Sequence, residues 1–318
     1  MRRSRALVIF GGLLTLFAVA TVSVRSQAAG AKGWPHGSPL EWPSAYGPRL
    51  VPMLAKSQAG FGRFIEPAPT AEVLPADTAC SPDMVDVEGE YCPYLEQQCL
   101  HWLDSETKLQ CAEFQKAPSG GRCTLPTQHK HFCIDRYEWP NRLGVLPTYM
   151  ASWTEAKASC ESIGKRLCSD TEWTLACEGP ERQPYPYGDG YQRDDRACNI
   201  DKPYILPDAV RVFDPKTQAD ELARLDQREP SGSRVACVSP YGVRDMVGNV
   251  DEWVVNVSQS GWPHMSGLKG GYWGPVRTRC RPMTTAHDEQ FRYYQIGFRC
   301  CGDAHPVEVG GTPVASRN

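Results

Sequence analysis

Fourteen cysteines are the most reactive side chains of this sequence, and all of them lie at or beyond Cys80. An even number of cysteines in a chain with an export-type N-terminus predicts a framework of disulfides. A structural zinc site is the alternative, but the sequence contains no Cys-x-x-Cys pair and no histidine pair at zinc-finger spacing. We therefore expect disulfides, whose pairing the sequence alone does not determine.

Three arginines alternate shortly after the Gly-Gly pair at residues 270–271: Arg277, Arg279 and Arg281. One face of such a segment would be cationic and could bind a carboxylate or phosphate group, unless the arginines pair with surface acids. Trp273 lies in the same stretch. An exposed tryptophan could stack on a sugar, although most tryptophans are expected in the core. We therefore predict a ligand-binding surface at Trp273, Arg277 and Arg279.

Two histidines and the overall charge add little to this list. His129 and His131 could form one arm of a metal site, but two polar side chains on one face of a strand are the simpler interpretation. The formal net charge is −3, and charged residues make up 22% of the chain. These values give no indication of a nucleic-acid partner or of a polybasic membrane anchor.

The chain that must position these residues has 318 residues, enough for one large domain or two small ones. Arg2, Arg3 and Arg5 precede an apolar stretch, and small residues follow it. This order predicts a secretory signal at residues 1–29 and an exported protein, either periplasmic or secreted. An uncleaved N-terminal membrane anchor is the alternative, because the apolar stretch approaches the about 20 residues needed to span a bilayer.

The composition divides the rest of the chain into three parts. Residues 30–77 are rich in Pro, Gly and Ala and predict a mostly extended linker. We then expect one domain over residues 78–302, with a cysteine-rich elaboration near its start at residues 80–125. Residues 303–318 predict a polar tail.

Local signals predict a mixture of helices and strands in this domain. Two capping boxes, Ser152–Glu155 and Ser169–Glu172, predict the starts of two helices, which Gly164 and Gly179 should end. Strands are predicted at Met84–Val87, Phe132–Tyr137, Gly267–Trp273 and Ile296–Cys301. Residues 180–240 show few regular signals, and a loop of that length is usually functional or pinned by ions or disulfides.

Three sequence blocks, in order, point to one family. They are Gly164–Trp173 (GKRLCSDTEW), Tyr241–Trp253 (YGVRDMVGNVDEW) and Gly270–Trp273 (GGYW), which Gly297–Cys300 (GFRC) closes. Together they resemble the signature blocks of the sulfatase-modifying-factor family, the formylglycine-generating enzymes, with which non-heme-iron sulfoxide synthases are grouped. The resemblance covers about residues 80–302. It implies an irregular α+β fold related to C-type lectins, with little regular secondary structure and several disulfides.

The chemistry that the resemblance implies depends on two cysteines. In the formylglycine-generating members they bind copper(I), activate oxygen and oxidise a cysteine of a sulfatase, and soft thiolates suit copper(I). Both follow the Gly-Gly block. Here the stretch from Gly271 to Cys280 contains a single cysteine, which aligns with a structural one. We therefore expect a divergent member without copper. The His-x-x-x-His-x-Glu motif of the iron-binding relatives is also missing from the sequence, which leaves iron undecided.

The resemblance also implies calcium. In the second block the implied ligands are the side chains of Asp245 and Glu252 and the carbonyls of Gly248 and Val250. A second family site begins at Asn199 and Ile200, with Asp214 as a candidate later ligand. Hard oxygen donors on a tight loop suit calcium, and capping of the loop without a metal is the alternative. Asp251 replaces the usual aromatic residue and adds a carboxylate, which either strengthens cation binding or repels in an empty site.

The family further implies the disulfides Cys160–Cys300 and Cys177–Cys280. Together these expectations favour an exported, calcium-stabilised binding or structural module, or a repurposed active site, without copper oxidase activity. Two alternatives stay open: an oxidative protein-modifying enzyme that uses other ligands, and a lectin-like binding module. The partner would be a protein or peptide substrate or a carbohydrate, and any membrane contact would come only from an uncleaved signal segment.

Overall fold

The computed structural model describes residues 79–116, 123–261 and 263–305. All of them belong to the unit formed by residues 71–318. The predicted secretory signal, the predicted linker and most of the predicted polar tail lie outside the described residues. Within the described ranges, no helix is both long enough and apolar enough to cross a membrane.

The described residues form ten short strands and four short helices, so the α+β class predicted from the sequence is confirmed. In chain order they are β1 (Met84–Tyr91), β2 (Cys99–Trp102), β3 (Cys111–Phe114), β4 (Gln128–Asp135), α1 (Trp153–Glu161), β5 (Arg166–Leu167), α2 (Asp170–Glu178), α3 (Ala209–Phe213), α4 (Gln218–Leu225), β6 (Asp251–Val255), β7 (Ser266–Lys269), β8 (Met283–Thr284), β9 (Ile296–Phe298) and β10 (Cys300–Asp303).

The first sheet has the strand order β1-β4-β10-β5. β1 and β4 pair antiparallel along their whole length, from Met84 opposite Asp135 to Tyr91 opposite Gln128. Along β1, buried Val85 and Val87 alternate with exposed acids, which is the pattern of a strand with one face on the core. The strand is therefore longer than the alternation at its start predicted. β2 and β3 form a separate two-stranded hairpin.

The second sheet has the order β8-β7-β6-β9, in which β6 pairs antiparallel with β7 and parallel with β9. The sequence predicted one continuous strand at Ile296–Cys301. The structure corrects this, because β9 belongs to the second sheet and β10 to the first. Arg299 lies between them and is fully buried. The chain therefore passes from the second sheet to the first at Arg299, whose charged side chain is buried.

Both predicted capping boxes are present. The hydroxyls of Ser152 and Ser169 accept from the N–H three residues on, and Glu155 and Glu172 accept in return from the cap N–H groups at 2.9 Å. Gly179 follows α2 with φ of 66°, a conformation that favours glycine. The helices end where a stop was predicted for α2 and slightly earlier for α1.

The long segment between residues 180 and 240 is more regular than its composition predicted. It contains α3 and α4, and α4 buries Leu222 and Leu225 on one face. Asp208 caps α3 by accepting from the N–H groups of Val210 and Arg211. The disulfide Cys198–Cys237 closes the segment. The prediction that a bridge pins this region agrees with the structure, and α3 and α4, which the sequence did not predict, leave most of the segment irregular.

All fourteen cysteines lie in the described residues, and all are paired. The seven disulfides are Cys80–Cys133, Cys92–Cys123, Cys99–Cys111, Cys160–Cys300, Cys168–Cys301, Cys177–Cys280 and Cys198–Cys237. They include the two pairs that the family resemblance implied. Such a set indicates a chain that folds in an oxidising compartment, as extracellular and exported proteins do.

Candidate functional site

The loop from Asp245 to Val250 leads into β6 through unusual backbone conformations. The angle φ is 55° at Asp245, 78° at Gly248 and 55° at Asn249, all in the left-handed region that glycine and asparagine tolerate best. A Cβ atom at Gly248 would lie 2.3 Å from the carbonyl oxygen of Asn199. The loop can therefore pack directly on the backbone at Asn199 only because position 248 has no side chain.

A buried ion pair anchors this loop to the C-terminal strands. Arg299 donates from Nε to Oε2 of Glu252 at 2.7 Å and from Nη2 to Oε1 at 2.6 Å. The same guanidinium donates to the carbonyls of Arg244 at 2.9 Å and Asp245 at 3.3 Å. Trp173 donates its indole N–H to Glu252 at 2.7 Å. The bidentate pair fixes the geometry of both charged groups, and neither could be removed alone without leaving a buried charge.

Glu138 lies fully buried beside this ion pair. One of its oxygens accepts from the Ser231 hydroxyl at 2.9 Å and from the Asn249 amide at 2.8 Å. The other accepts from the Val250 N–H at 3.2 Å. Burial raises the pKa of Glu138 well above its ordinary value, and the negative charges of two neighbouring carboxylates raise it further.

Three carboxylates, those of Glu138, Asp245 and Glu252, thus share one guanidinium in a region closed to water. Burial raises the pKa of Asp245 to about 6, although the Gly232 N–H donates to this carboxylate at 2.6 Å and opposes the shift. Fully ionised, the cluster would hold three negative charges against the one positive charge of Arg299. Such an excess is costly in a buried setting, and either protonation of the carboxylates or a bound cation would relieve it.

The oxygens around the loop fit calcium in their chemistry. Within the described residues, no N–H donates to the carbonyl oxygen of Gly248 or Val250, and one oxygen of Asp245 accepts no recorded hydrogen bond. Carboxylate and carbonyl oxygens are the ligands that calcium prefers. No three His, Cys, Asp or Glu side chains in the described part of the chain are placed to bind one ion. Carbonyls would therefore have to complete the shell, with Glu252 shared between the ion and Arg299.

The second implied calcium position, at Asn199 and Ile200, also has an unused oxygen. Asn199 donates from Nδ2 to the Gln227 carbonyl and to Asn249 Oδ1, each at 3.0 Å. Its own Oδ1 is buried and meets no donor among the described residues. Ile200 is a core residue. Asp214 accepts from the Lys216 N–H at 3.0 Å. The orphaned Asn199 oxygen suits a cation, whereas Asp214 shows only a turn-capping contact.

The segment after the Gly-Gly pair holds no unpaired thiol. Gly270 and Gly271 turn the chain away from β7 with φ of 88° and 71°. Cys280 is bonded to Cys177 of α2, and residues 272–279 contain no cysteine. Asp251 of β6 accepts from the Gly271 N–H at 3.3 Å, and burial raises the pKa of this carboxyl to about 7. The position next to Gly271 therefore presents a carboxyl group and no thiolate.

A comparison with known families identifies this arrangement. The sequence profile of the sulfatase-modifying factor enzyme 1-like domain matches residues 109–304, which is more than half of the chain. The chain belongs to this family. The resemblance inferred from the three sequence blocks is confirmed, and with it the α+β fold of the sulfatase-modifying factors.

Two curated mammalian relatives are similar to this family member. Both are called inactive C-alpha-formylglycine-generating enzyme 2. The Bos taurus protein is 28% identical over 172 residues, which cover 50% of this chain and 51% of the relative. The Mus musculus protein is 28% identical over 169 residues, which cover 50% of each. The chain thus spans about half the length of the curated relatives it matches.

Solved structures of low identity are also similar to the chain. PvdO from Pseudomonas aeruginosa is 18% identical with a TM-score of 0.44, and the match covers 71% of this chain and 97% of PvdO. CarF is 15% identical with a TM-score of 0.43, covering 70% of this chain and 98% of CarF.

Of the residues predicted to form a ligand-binding surface beside the Gly-Gly block of this family member, one is buried and two are half-buried. Trp273 is buried and packs against Tyr294, with ring centroids 5.9 Å apart. Arg277 donates to the Thr284 hydroxyl. The guanidinium of Arg279 lies 5.4 Å from the ring centroid of Phe114, and burial lowers the pKa of this group. Trp273 therefore belongs to the core, whereas Arg277 and Arg279 keep part of their surface exposed.

The remaining arginine and the two histidines pair locally. Arg281 forms a bidentate pair with the buried Glu178 at 2.7 Å, which balances its charge. His131 lies 2.9 Å from Asp86, and the two ring nitrogens of His129 lie within 3.3 Å of acids on β1. These contacts correspond to polar side chains on one face of a strand, the simpler of the two interpretations.

Glu138 and Arg299 are the members of the site that sequence reasoning missed. Glu138 directly follows the strand predicted at Phe132–Tyr137, and Arg299 stands within the GFRC block. The sequence alone does not indicate that the side chain of either residue is buried. A charged residue flanked by apolar residues of two adjoining strands, as in Phe298-Arg299-Cys300, was the available signal.

Proposed function

We propose that this protein is an exported, calcium-stabilised binding module of the sulfatase-modifying-factor family that does not carry out copper-dependent formylglycine formation. The observation that carries the proposal is the pairing of all fourteen cysteines in disulfides. The two mammalian relatives are named as inactive enzymes, which agrees with this proposal.

Copper chemistry of the family type needs two thiolates next to the substrate cysteine. In this chain the cysteine nearest to the Gly-Gly pair, Cys280, is bonded to Cys177 at the end of α2. Gly274, Pro275 and Val276 occupy the preceding positions, and none of them can bind a soft metal ion through its side chain. A disulfide sulfur is no longer an anionic ligand, so the folded chain offers no thiolate pair for copper(I).

Calcium would act as a structural ion in this proposal. The oxygens that would hold it are those of Asp245, Gly248, Val250 and Glu252, with the buried carboxyl of Glu138 nearby. A bound divalent cation offsets the repulsion among the carboxylates. It would hold the loop in front of β6 in its left-handed conformation and leave Arg299 paired with Glu252.

Export is proposed from two observations. Seven disulfides require an oxidising compartment, and the N-terminal residues have the charge and hydropathy pattern of a secretory signal. We propose release from the membrane after cleavage near residue 29, into the periplasm or the medium. N-terminal sequencing of the mature protein from the exported fraction tests this, and an intact residue 1 on a membrane-bound product would contradict it.

Metal analysis of the purified protein tests the proposal as a whole. After dialysis against trace calcium, elemental analysis is expected to find about one or two calcium ions per chain and no stoichiometric copper or iron, even after incubation with these metals. A thiol titration of the same sample in denaturant without reductant should detect no free thiol. Stoichiometric copper together with titratable thiols would contradict the proposal and favour a copper-dependent oxidase.

A further inference from the structure

A polar cavity of about 540 Å³ lies on the side of the domain formed by α2, β7 and β8. This volume is within the range of small-molecule binding sites in proteins. The cavity walls include Asp170 of α2, Ser258 and Ser260 of the loop after β6, Lys269 at the end of β7, and Tyr91 at the end of β1. None of these residues belongs to the calcium ligands or to the Gly-Gly segment.

Lys269 is the decisive group in this cavity. Its side chain is buried, with 2% exposure, and lies over the ring of Trp173 at 5.2 Å from the centroid. Its Nζ donates to the carbonyl of Arg281 at 3.0 Å. An ammonium group has three donors, and in the described part of the chain no carboxylate oxygen lies within 4.0 Å of this one. The cavity therefore has on its wall a buried amino group with unused donors, which is cationic below its pKa of about 7.

The other two charged groups around the cavity, Arg281 and Asp170, already have hydrogen-bond partners. Arg281 is held by both oxygens of Glu178, each at 2.7 Å. Asp170 accepts from the N–H of Val257 at 3.0 Å and from the hydroxyl of Ser258 at 2.5 Å. Asp170 keeps lone pairs that can accept from a neutral hydroxyl but would repel an anion. Lys269 is thus the position at which an anionic group of a ligand would be stabilised.

We infer that this cavity binds a small hydroxylated organic acid, whose carboxylate pairs with Lys269 and whose hydroxyl groups bond to Asp170 and Ser260. The ring of Tyr91 and the neighbouring Pro93 supply an apolar wall for the carbon skeleton. The ligand could be a free sugar acid or the end of an acidic polysaccharide, and both sources share the same carboxylate and hydroxyl chemistry.

Part of the cavity wall lies outside the segment that matches the family. Tyr91 and Pro93 precede residue 109, where the family match begins. The disulfide Cys92–Cys123 and a hydrogen bond from Arg281 to the Cys92 carbonyl at 3.1 Å hold this wall against the domain. One side of the cavity therefore comes from the cysteine-rich elaboration, and the inference does not depend on the calcium or copper proposals.

Calorimetric titration of the full-length protein with D-glucuronate tests the inference. D-Glucose, which has the hydroxyls without the carboxylate, is the matched ligand control, and tri-galacturonate represents a polysaccharide end. Three variants accompany the wild type. Lys269→Gln removes the cavity cation, Ser260→Trp blocks the cavity from an exposed loop position, and Lys157→Gln removes an exposed lysine of α1 as a charge control.

We expect saturable binding of glucuronate and much weaker binding of glucose. Lys269→Gln should weaken glucuronate binding about 10- to 100-fold, the loss typical of one charge-assisted hydrogen bond. Ser260→Trp should abolish it, and Lys157→Gln should leave it unchanged. Binding of the trimer alone would identify a polysaccharide end as the source.

Several results would overturn the inference. They are no saturable binding of either acid, equal binding of glucose, or unaltered affinity in Lys269→Gln or Ser260→Trp. If Lys269→Gln fails to fold, Ser260→Trp still tests the location of the site. Ser260 is exposed, and its hydrogen bonds to Asn256 are made by main-chain atoms, which the substitution leaves in place. Retained binding in this variant places the acid elsewhere.

Discussion

Calcium is expected to raise the melting temperature of this protein at neutral pH. Without a cation, burial raises the pKa of Asp245 from 3.8 to about 6. At about 1.4 kcal/mol per unit, a shift of about two units makes the ionised folded form about 3 kcal/mol less favourable. A calcium ion that stabilises the ionised carboxylate would recover a stabilisation of this order. For a domain of this size, that corresponds to a rise of about 6–12 °C in Tm.

The sign of the pH dependence follows from the same shift. A carboxyl whose pKa is raised on folding holds more protons in the folded state between pH 3.8 and about 6. Calcium-free stability therefore falls as the pH rises through this window. Calcium competes with protons for Asp245, so its effect on Tm should be small near pH 4 and complete by about pH 7.

Circular dichroism melts in chelator and in excess calcium, recorded across this pH range, measure the effect. Asp245→Asn is the informative variant, because it keeps the acceptor for the Gly232 N–H and removes the charge. We expect it to melt at or above the wild type in chelator and to lose the response to calcium. Magnesium is the ionic control, since it needs tighter octahedral geometry and should act weakly. An unchanged Tm on adding calcium at pH 7, or a calcium response retained by Asp245→Asn, would refute the reasoning.

Three further predictions concern the disulfides and the buried charges. Thiol titration of the unreduced, denatured protein should detect no free thiol, and one or more per chain would contradict the pairing described. Arg299→Met should lower the free energy of unfolding, measured in urea, by about 3–5 kcal/mol, because it leaves Glu252 buried without its partner. Arg292→Met removes an exposed pair with Glu155 and should lower the same free energy by less than about 1 kcal/mol. Burial lowers the pKa of Lys269 from 10.5 to about 7. Between these pH values the unfolded state binds more protons than the folded state, so the free energy of unfolding should rise as the pH increases from about 7. Urea titrations of Lys269→Met should not show this rise.

Local chemistry made part of the fold predictable from the sequence. The serines and glutamates of the two capping boxes lie three residues apart, so α1 and α2 required no information from elsewhere in the chain. The alternation at the start of β1 likewise indicated a strand. α3 and α4 were missed because proline and aspartate interrupt their surroundings, although the spacing of Leu222 and Leu225 in α4 was a helical signal.

The buried cluster depends on contacts that no local pattern contains. Glu138 accepts hydrogen bonds from the side-chain amide of Asn249 and the main-chain N–H of Val250, both more than a hundred residues further along the chain. The division of the last strand between two sheets follows from the placement of Arg299 opposite Glu252, which is a tertiary effect. The resemblance to the family implied part of the loop and two disulfides, whereas the cavity at Lys269 has a wall from residues before the family match and could not be inferred from it.

Formylglycine formation is the activity whose absence the disulfide pairing predicts. The unreduced, full-length protein would be loaded with copper and incubated in air with a cysteine-containing peptide derived from a sulfatase, and the peptide would be analysed by mass spectrometry. We expect its cysteine to remain unmodified, as in an incubation without the protein. Copper-dependent conversion of that cysteine to an aldehyde would contradict the conclusion that this family member has no thiolate pair.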